Sequence, residues 1–113
     1  MFEPDLIFSS KFSGFTRSTG LEFRIFADPN DFVTSAQHGA EALIINLDTF
    51  GSQNLQHAVK IGVPIMGYYS HVNSDVAQIA VRLGVNLVVT RGTFVTRPES
   101  LISELLRTTR KVL

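Results

Sequence analysis

The 113-residue chain has no cysteine and no tryptophan, and its 10 basic and 10 acidic residues cancel. Without cysteine, disulfides, thiolate metal sites and cysteine nucleophiles are excluded. A formal charge of zero leaves no overall electrostatic footprint for nucleic acid. The nearest basic cluster is Arg107, Arg110 and Lys111, which falls where the last turn of a helix favours cations. No apolar run approaches the ~20 residues that a bilayer-spanning helix needs. The opening residues Met1-Phe2-Glu3-Pro4-Asp5 carry acids where a secretory signal carries cations. These absences lead us to expect a cytoplasmic protein with neither a nucleic-acid nor a membrane partner. What is present is ordinary for a globular chain, with 44% hydrophobic and 18% charged residues. The length suits a single domain over residues 1–113, large enough to bury a core without staples.

Short apolar runs alternate with helix-period segments. Asp5 to Ser9 reads as a first strand and Leu21 to Ala27 as a partly alternating second. Ala42 to Leu47 and Val63 to Tyr69 are near-continuous apolar runs, as in central parallel strands covered on both faces. Leu87 to Thr90 is the fifth strand. Between them, Lys11 to Ser18 offers only a short first helix, interrupted by Gly14. Asp28-Pro29 starts the second helix and Gly39 closes it. Ser52 and Asn73 are candidate caps for the third and fourth, which Gly62 and Gly84 terminate. The fourth helix is expected to face inward with Val76, Ile79, Ala80 and Leu83. Thr96 to Glu99 matches a capping box before the stripe Leu101, Ile102, Leu105 and Leu106. The alternation implies a parallel sheet with helices on both faces. At this length it predicts a flavodoxin-like α/β fold, (βα)5, with strand order 2-1-3-4-5 and its functional positions at the C-terminal strand ends.

Those strand ends carry Ser9 and Ser10, Asn46 and Asp48, Ser70 and His71, and Arg91. With their flanking segments, LIINLDTFG at 43–51, VPIMGYYS at 63–70 and GVNLVVTRGTF at 84–94, they resemble the landmarks of response-regulator receiver domains. In that family an acidic pair holds Mg²⁺, an Asp accepts phosphate, a Ser or Thr senses it and a Lys pairs with it. The resemblance implies that Ser9 and Ser10 stand at the acidic pair and Asn46 at the phosphoacceptor. It puts the switch hydroxyl at Tyr69 or Ser70, and Arg91 at the lysine. Val88 and Gly92 fall at the aromatic switch and the following proline. Serine hydroxyls are poor ligands for a hard cation, and asparagine has no carboxylate nucleophile. The expectation is therefore a degenerate pseudo-receiver that is not an enzyme and uses neither cofactor nor metal.

Three functions remain on these residues. The leading one is a signalling and protein-interaction module, binding a protein partner or a second copy through the fourth helix, fifth strand and fifth helix. On that helix Ala77 and Val81 form an apolar flank one turn apart. A second is an anion or metabolite sensor built on Arg91, Ser70, Ser9 and Ser10. A third makes Asp48 a substitute phosphoacceptor. For Arg91 the plain expectation is a salt bridge to Asp48 or a bond to a strand-end carbonyl. Ser70, His71 and Asp48 lack the elbow and oxyanion loop of a hydrolase. His38 and His57 have no partner at metal spacing. Thr16 to Gly20 fits no phosphate-loop pattern.

Overall fold

A computed structural model describes residues 1–15, 17, 20–70, 72 and 74–109. Elements appear in the order α1 (Leu6–Ser9), a 3-10 turn (Ser10–Phe12), α2 (Pro29–Gln37), β1 (Leu43–Asn46), α3 (Leu47–Phe50), α4 (Ser52–Val59), β2 (Ile65–Tyr69), α5 (Ser74–Leu83), β3 (Leu87–Thr90), α6 (Arg91–Thr96) and α7 (Pro98–Thr109). The three strands form one parallel sheet in the order β1-β2-β3. Ile45 pairs with Gly67, and Gly67 with Val88. No helix among the described residues is long and apolar enough to cross a membrane.

Alternate residues of each strand feed two separate cores. Leu43, Ile45 and Ile65 join Phe32, Ala36, Leu55, Ala58 and Ala80, and so meet α2, α4 and α5. Ile44, Met66 and Tyr68 join Phe8, Phe12, Phe94, Leu101, Ile102 and Leu105, and so meet α1, α6 and α7. Continuous apolar runs at 43–46 and 65–68 follow from this double coverage, since each face needs its own apolar residues. Gly67 is where the first core comes closest to the strand. A Cβ there would lie 2.6 Å from the Leu47 Cδ1 atom, so the strand tolerates glycine because Leu47 fills the space.

Two of the five expected strands are reduced to single bridges. Phe2 forms parallel bridges with both Phe26 and Ile45, so it lies laterally between them. Its amide donates to the Ile44 carbonyl at 2.8 Å, and its carbonyl accepts from Asn46 N–H at 3.1 Å. The first extended segment is thus centred on Phe2, and residues 5–9 are not a strand. The reason is the Asp5 side chain, which accepts from the Ile7 and Phe8 amides and caps a helix. An N-cap of this type outcompetes the β-propensity of a short Leu-Ile-Phe run.

Elsewhere the helix signals fare unevenly. Asp28 caps α2 by accepting from Asn30 and Asp31, with Pro29 in the first turn. Ser52 is already inside α4, whose cap position is Gly51. Asn73 and His71 lie outside the described residues. Thr96 does not cap α7; its hydroxyl donates to the Gly92 carbonyl of α6 at 2.8 Å. Helix α6 itself had no counterpart in the sequence reading. Its cap is Thr90, whose hydroxyl accepts from Thr93 N–H. On α5, Ala80 is buried and Val76 and Leu83 pack against the core, but Ile79 is 39% exposed. All four β3 residues are only half-buried, because this strand pairs on one side alone.

Candidate functional site

At the C-terminal ends of β1 and β2 the backbone delivers Asn46 and Tyr68 to the same face, directly paired across the ladder. The segment through Phe2 brings Glu3 alongside them. The Asn46 amide donates from Nδ2 to both Glu3 carboxylate oxygens, at 3.0 and 3.1 Å. The Tyr68 hydroxyl donates to Glu3 Oε1 at 2.5 Å, and the Asp5 amide donates to Oε2 at 2.9 Å. On its other side Asn46 Oδ1 accepts from the Asp48 amide at 3.0 Å. The carboxylate and the N–H fix the amide orientation between them, since the reverse would oppose like partners.

These three side chains are among the most enclosed in the protein: Glu3 is 1% exposed, Asn46 4% and Tyr68 1%. Burial of a carboxylate is tolerated only when its lone pairs are met by donors, and here three groups meet them. The Tyr68 ring is stacked on Phe94 at 4.9 Å and flanked by Phe8 at 5.7 Å. Burial, followed by the hydrogen bond and charge of Glu3, pushes the Tyr68 phenol above its ordinary range. It therefore remains a donor.

The network continues outward. Strand β1 stops at Asn46, so Asp48 lies in the first turn of α3 and not on the strand face. Its Oδ2 accepts from the Ser70 amide at 2.9 Å. Arg91 pairs with Asp5 at 3.7 Å rather than with Asp48, and its guanidinium lies 3.9 Å from the centre of the Phe8 ring. Ser9 and Ser10 are not at a strand end. Ser9 is buried and bonds back to the Leu6 carbonyl at 3.2 Å; Ser10 bonds to the Ile7 carbonyl at 2.7 Å. Helix formation by residues 6–9 turned both hydroxyls onto their own backbone, which removes them from any cleft lining.

The residues here do not suit a divalent cation. Glu3 is saturated by three donors, and the Asp5 oxygens serve the α1 cap and Arg91. A hard cation takes its ligands from accessible carboxylate oxygens and waters. Among the described residues no group of three or more His, Asp or Glu side chains could hold a metal. Glu3 and Tyr68 carry the site, and the sequence reading overlooked Glu3. The available signal was Asp5 as a helix cap before an apolar run, which moves the first strand end back to Glu3.

Beside the closed network lies an open groove of about 760 Å³, lined by Phe8, Lys11, Ser70, Thr90, Arg91, Gly92, Val95 and Thr96. Ala77 and Val81 of α5 lie elsewhere; Ala77 is half-buried and Val81 is 62% exposed.

A parallel α/β sheet with its polar residues gathered at the strand ends is an architecture that many α/β folds share. The chain superposes on the response-regulator family protein NtrX from Brucella abortus, solved in complex with ADP, with a TM-score of 0.81 over 96% of this chain. The two are 16% identical, and the match spans 26% of the NtrX chain. The fold is thus receiver-like. No protein-family model matches the sequence, and neither does any curated protein.

Proposed function

We propose that this chain is a receiver-like signalling module that works through protein contacts and performs no phosphoryl transfer. The observation that carries this reading is Asn46, buried at the family's acceptor position and bound to Glu3 beneath Tyr68. An amide offers no nucleophile there, and the neighbouring Glu3 carboxylate is taken up by three internal donors. Phe26 and Phe2 are read as remnants of two strands that continue the sheet to the order 2-1-3-4-5. This reading corrects the acidic-pair positions from Ser9 and Ser10 to Glu3 and its neighbourhood.

The test is incubation with acetyl phosphate and Mg²⁺ followed by intact mass. The expected outcome is unmodified protein. A stoichiometric phosphate adduct, on Asp48 above all, overturns the reading.

For self-association we propose the α5 surface around Ala77 and Val81, on the strength of Val81, which is 62% exposed. Val81→Glu is expected to abolish any dimer seen by sedimentation while leaving the fold intact. A second function is favoured by one observation: Arg91 and Lys11 both line the open groove, which suits a small anion. A thermal-shift screen of phosphorylated metabolites that moves wild type but not Arg91→Ala would favour that sensor.

A further inference from the structure

We infer that the groove between α1 and α6 docks an acidic, aliphatic peptide segment of another protein. This rests on the interaction-module reading and adds the surface and the chemistry of its partner. The starting point is the cap at Asp5, which makes residues 6–9 a helix. Its inner side is used by Phe8, buried against Tyr68. Leu6 and Ile7 are then left 75% and 82% exposed. A lone exposed aliphatic needs no explanation; an adjacent pair does, here on the segment whose Phe8 and Lys11 line the open groove.

Ile7 is one helical turn before Lys11, so the aliphatic side chain and the cation share a side of the segment. Across the groove stand Arg91 and Val95, and Phe8 forms the floor between the two cations. The Arg91 guanidinium lies 3.9 Å and the Lys11 ammonium 5.6 Å from the Phe8 ring centre. Among the described residues no acid lines this groove and Lys11 has no ion-pair partner. The nearby carboxylates are engaged, Asp5 by the α1 amides and Arg91 and Asp48 by the Ser70 amide. Aliphatic contact area next to the unpaired Lys11 ammonium and the Arg91 guanidinium, which Asp5 meets at 3.7 Å on one side, complements a segment that pairs leucine-like side chains with carboxylates.

Two other occupants fit less well. Membrane-surface binding generally recruits a larger basic cluster on an amphipathic face, whereas here two cations flank a concavity. A second copy would have to present an acid beside an aliphatic, as Asp75 and Ile79 do one turn apart on α5. Groove-to-α5 contact is head-to-tail, so it would build rings or filaments and not the two-fold dimer that is commonest among soluble oligomers.

The test is fluorescence polarisation with a labelled peptide of roughly a dozen leucine and glutamate residues, set against the same peptide with lysine for glutamate. The full chain is expected to bind the acidic peptide at least about tenfold tighter than the basic one, and more weakly as salt rises. Ile7→Asp and Lys11→Glu should each weaken binding about tenfold or more, with melting temperature confirming that both variants fold. Gln56→Glu, at an exposed position of α4, is expected to change nothing. Equal affinity for the two peptides, or binding indifferent to both groove variants, overturns the inference. So does loss of vesicle binding (anionic phosphatidylglycerol) in Lys11→Glu without peptide binding, which assigns the face to a membrane. Concentration-dependent assembly lost in Ile7→Asp, again without peptide binding, assigns it to a second copy. None of these outcomes bears on the acetyl phosphate result, so failure here and failure of the dead-site reading are distinguishable.

Discussion

Two patches share one end of the sheet and have opposite characters. Around Asn46, polar side chains are buried and fully bonded to one another. Around Arg91, cations and aliphatics stand open to solvent. In the first patch each polar group has lost water and depends on its protein partners, so removing any one leaves the others uncompensated. In the second, water can replace whatever is removed, and the residues are free to serve another molecule. The difference lies in which patch is coupled to the fold and which is available to a partner.

That contrast can be broken by substitution. Glu3→Ala should have the largest effect, because it leaves the Asn46 amide and the Tyr68 hydroxyl buried without their acceptor. A loss of roughly 3–5 kcal/mol in urea unfolding is expected; a near-neutral result would mean that water enters and the patch is not closed. Tyr68→Phe removes one hydrogen bond to a charged group and keeps the ring, for roughly 1.5–3 kcal/mol at neutral pH. It also carries a pH signature. The Tyr68 phenol is raised by burial and by Glu3, so above pH ~10 the unfolded chain loses a proton that the folded one keeps. Wild-type stability should be flat with respect to this group below that pH, then fall by about 1.4 kcal/mol per pH unit, and Tyr68→Phe should lack this component of the alkaline decline.

Gly67→Ala tests how tightly the closed side is packed. Three Leu47 side-chain atoms would meet the new methyl at 2.6–2.8 Å, and overpacking of this kind costs about 1–3 kcal/mol. Adding Leu47→Ala should recover part of that loss, and no recovery would place the strain elsewhere. Arg91→Ala should have the smallest effect on stability. A partly exposed ion pair and an exposed cation–π contact are together worth about 1 kcal/mol or less. A loss as large as that of Glu3→Ala would show that the groove belongs to the closed network.

Much of this fold was legible in the sequence. The apolar runs that became β1 and β2, the α2 cap at Asp28-Pro29 and the stripe on α7 all express a local period or a local hydrogen bond. Such signals need no knowledge of distant residues. The reading failed at residues 5–9, where Leu-Ile-Phe suits strand and helix alike in so short a run. The Asp5 cap decided for helix, and that one outcome left Leu6 and Ile7 on the surface. It also withdrew Ser9 and Ser10 from the site.

The sequence by itself determined a parallel α/β chain with asparagine where its family resemblance places an acceptor aspartate, because those are matters of pattern and residue identity. Only the tertiary structure decided that Glu3 closes over that asparagine. Glu3 and Asn46 are 43 positions apart, and Glu3 and Tyr68 65. No local preference encodes a bond across such a distance. It exists because the segment through Phe2 lies beside β1, which sets a buried carboxylate against two buried side-chain donors.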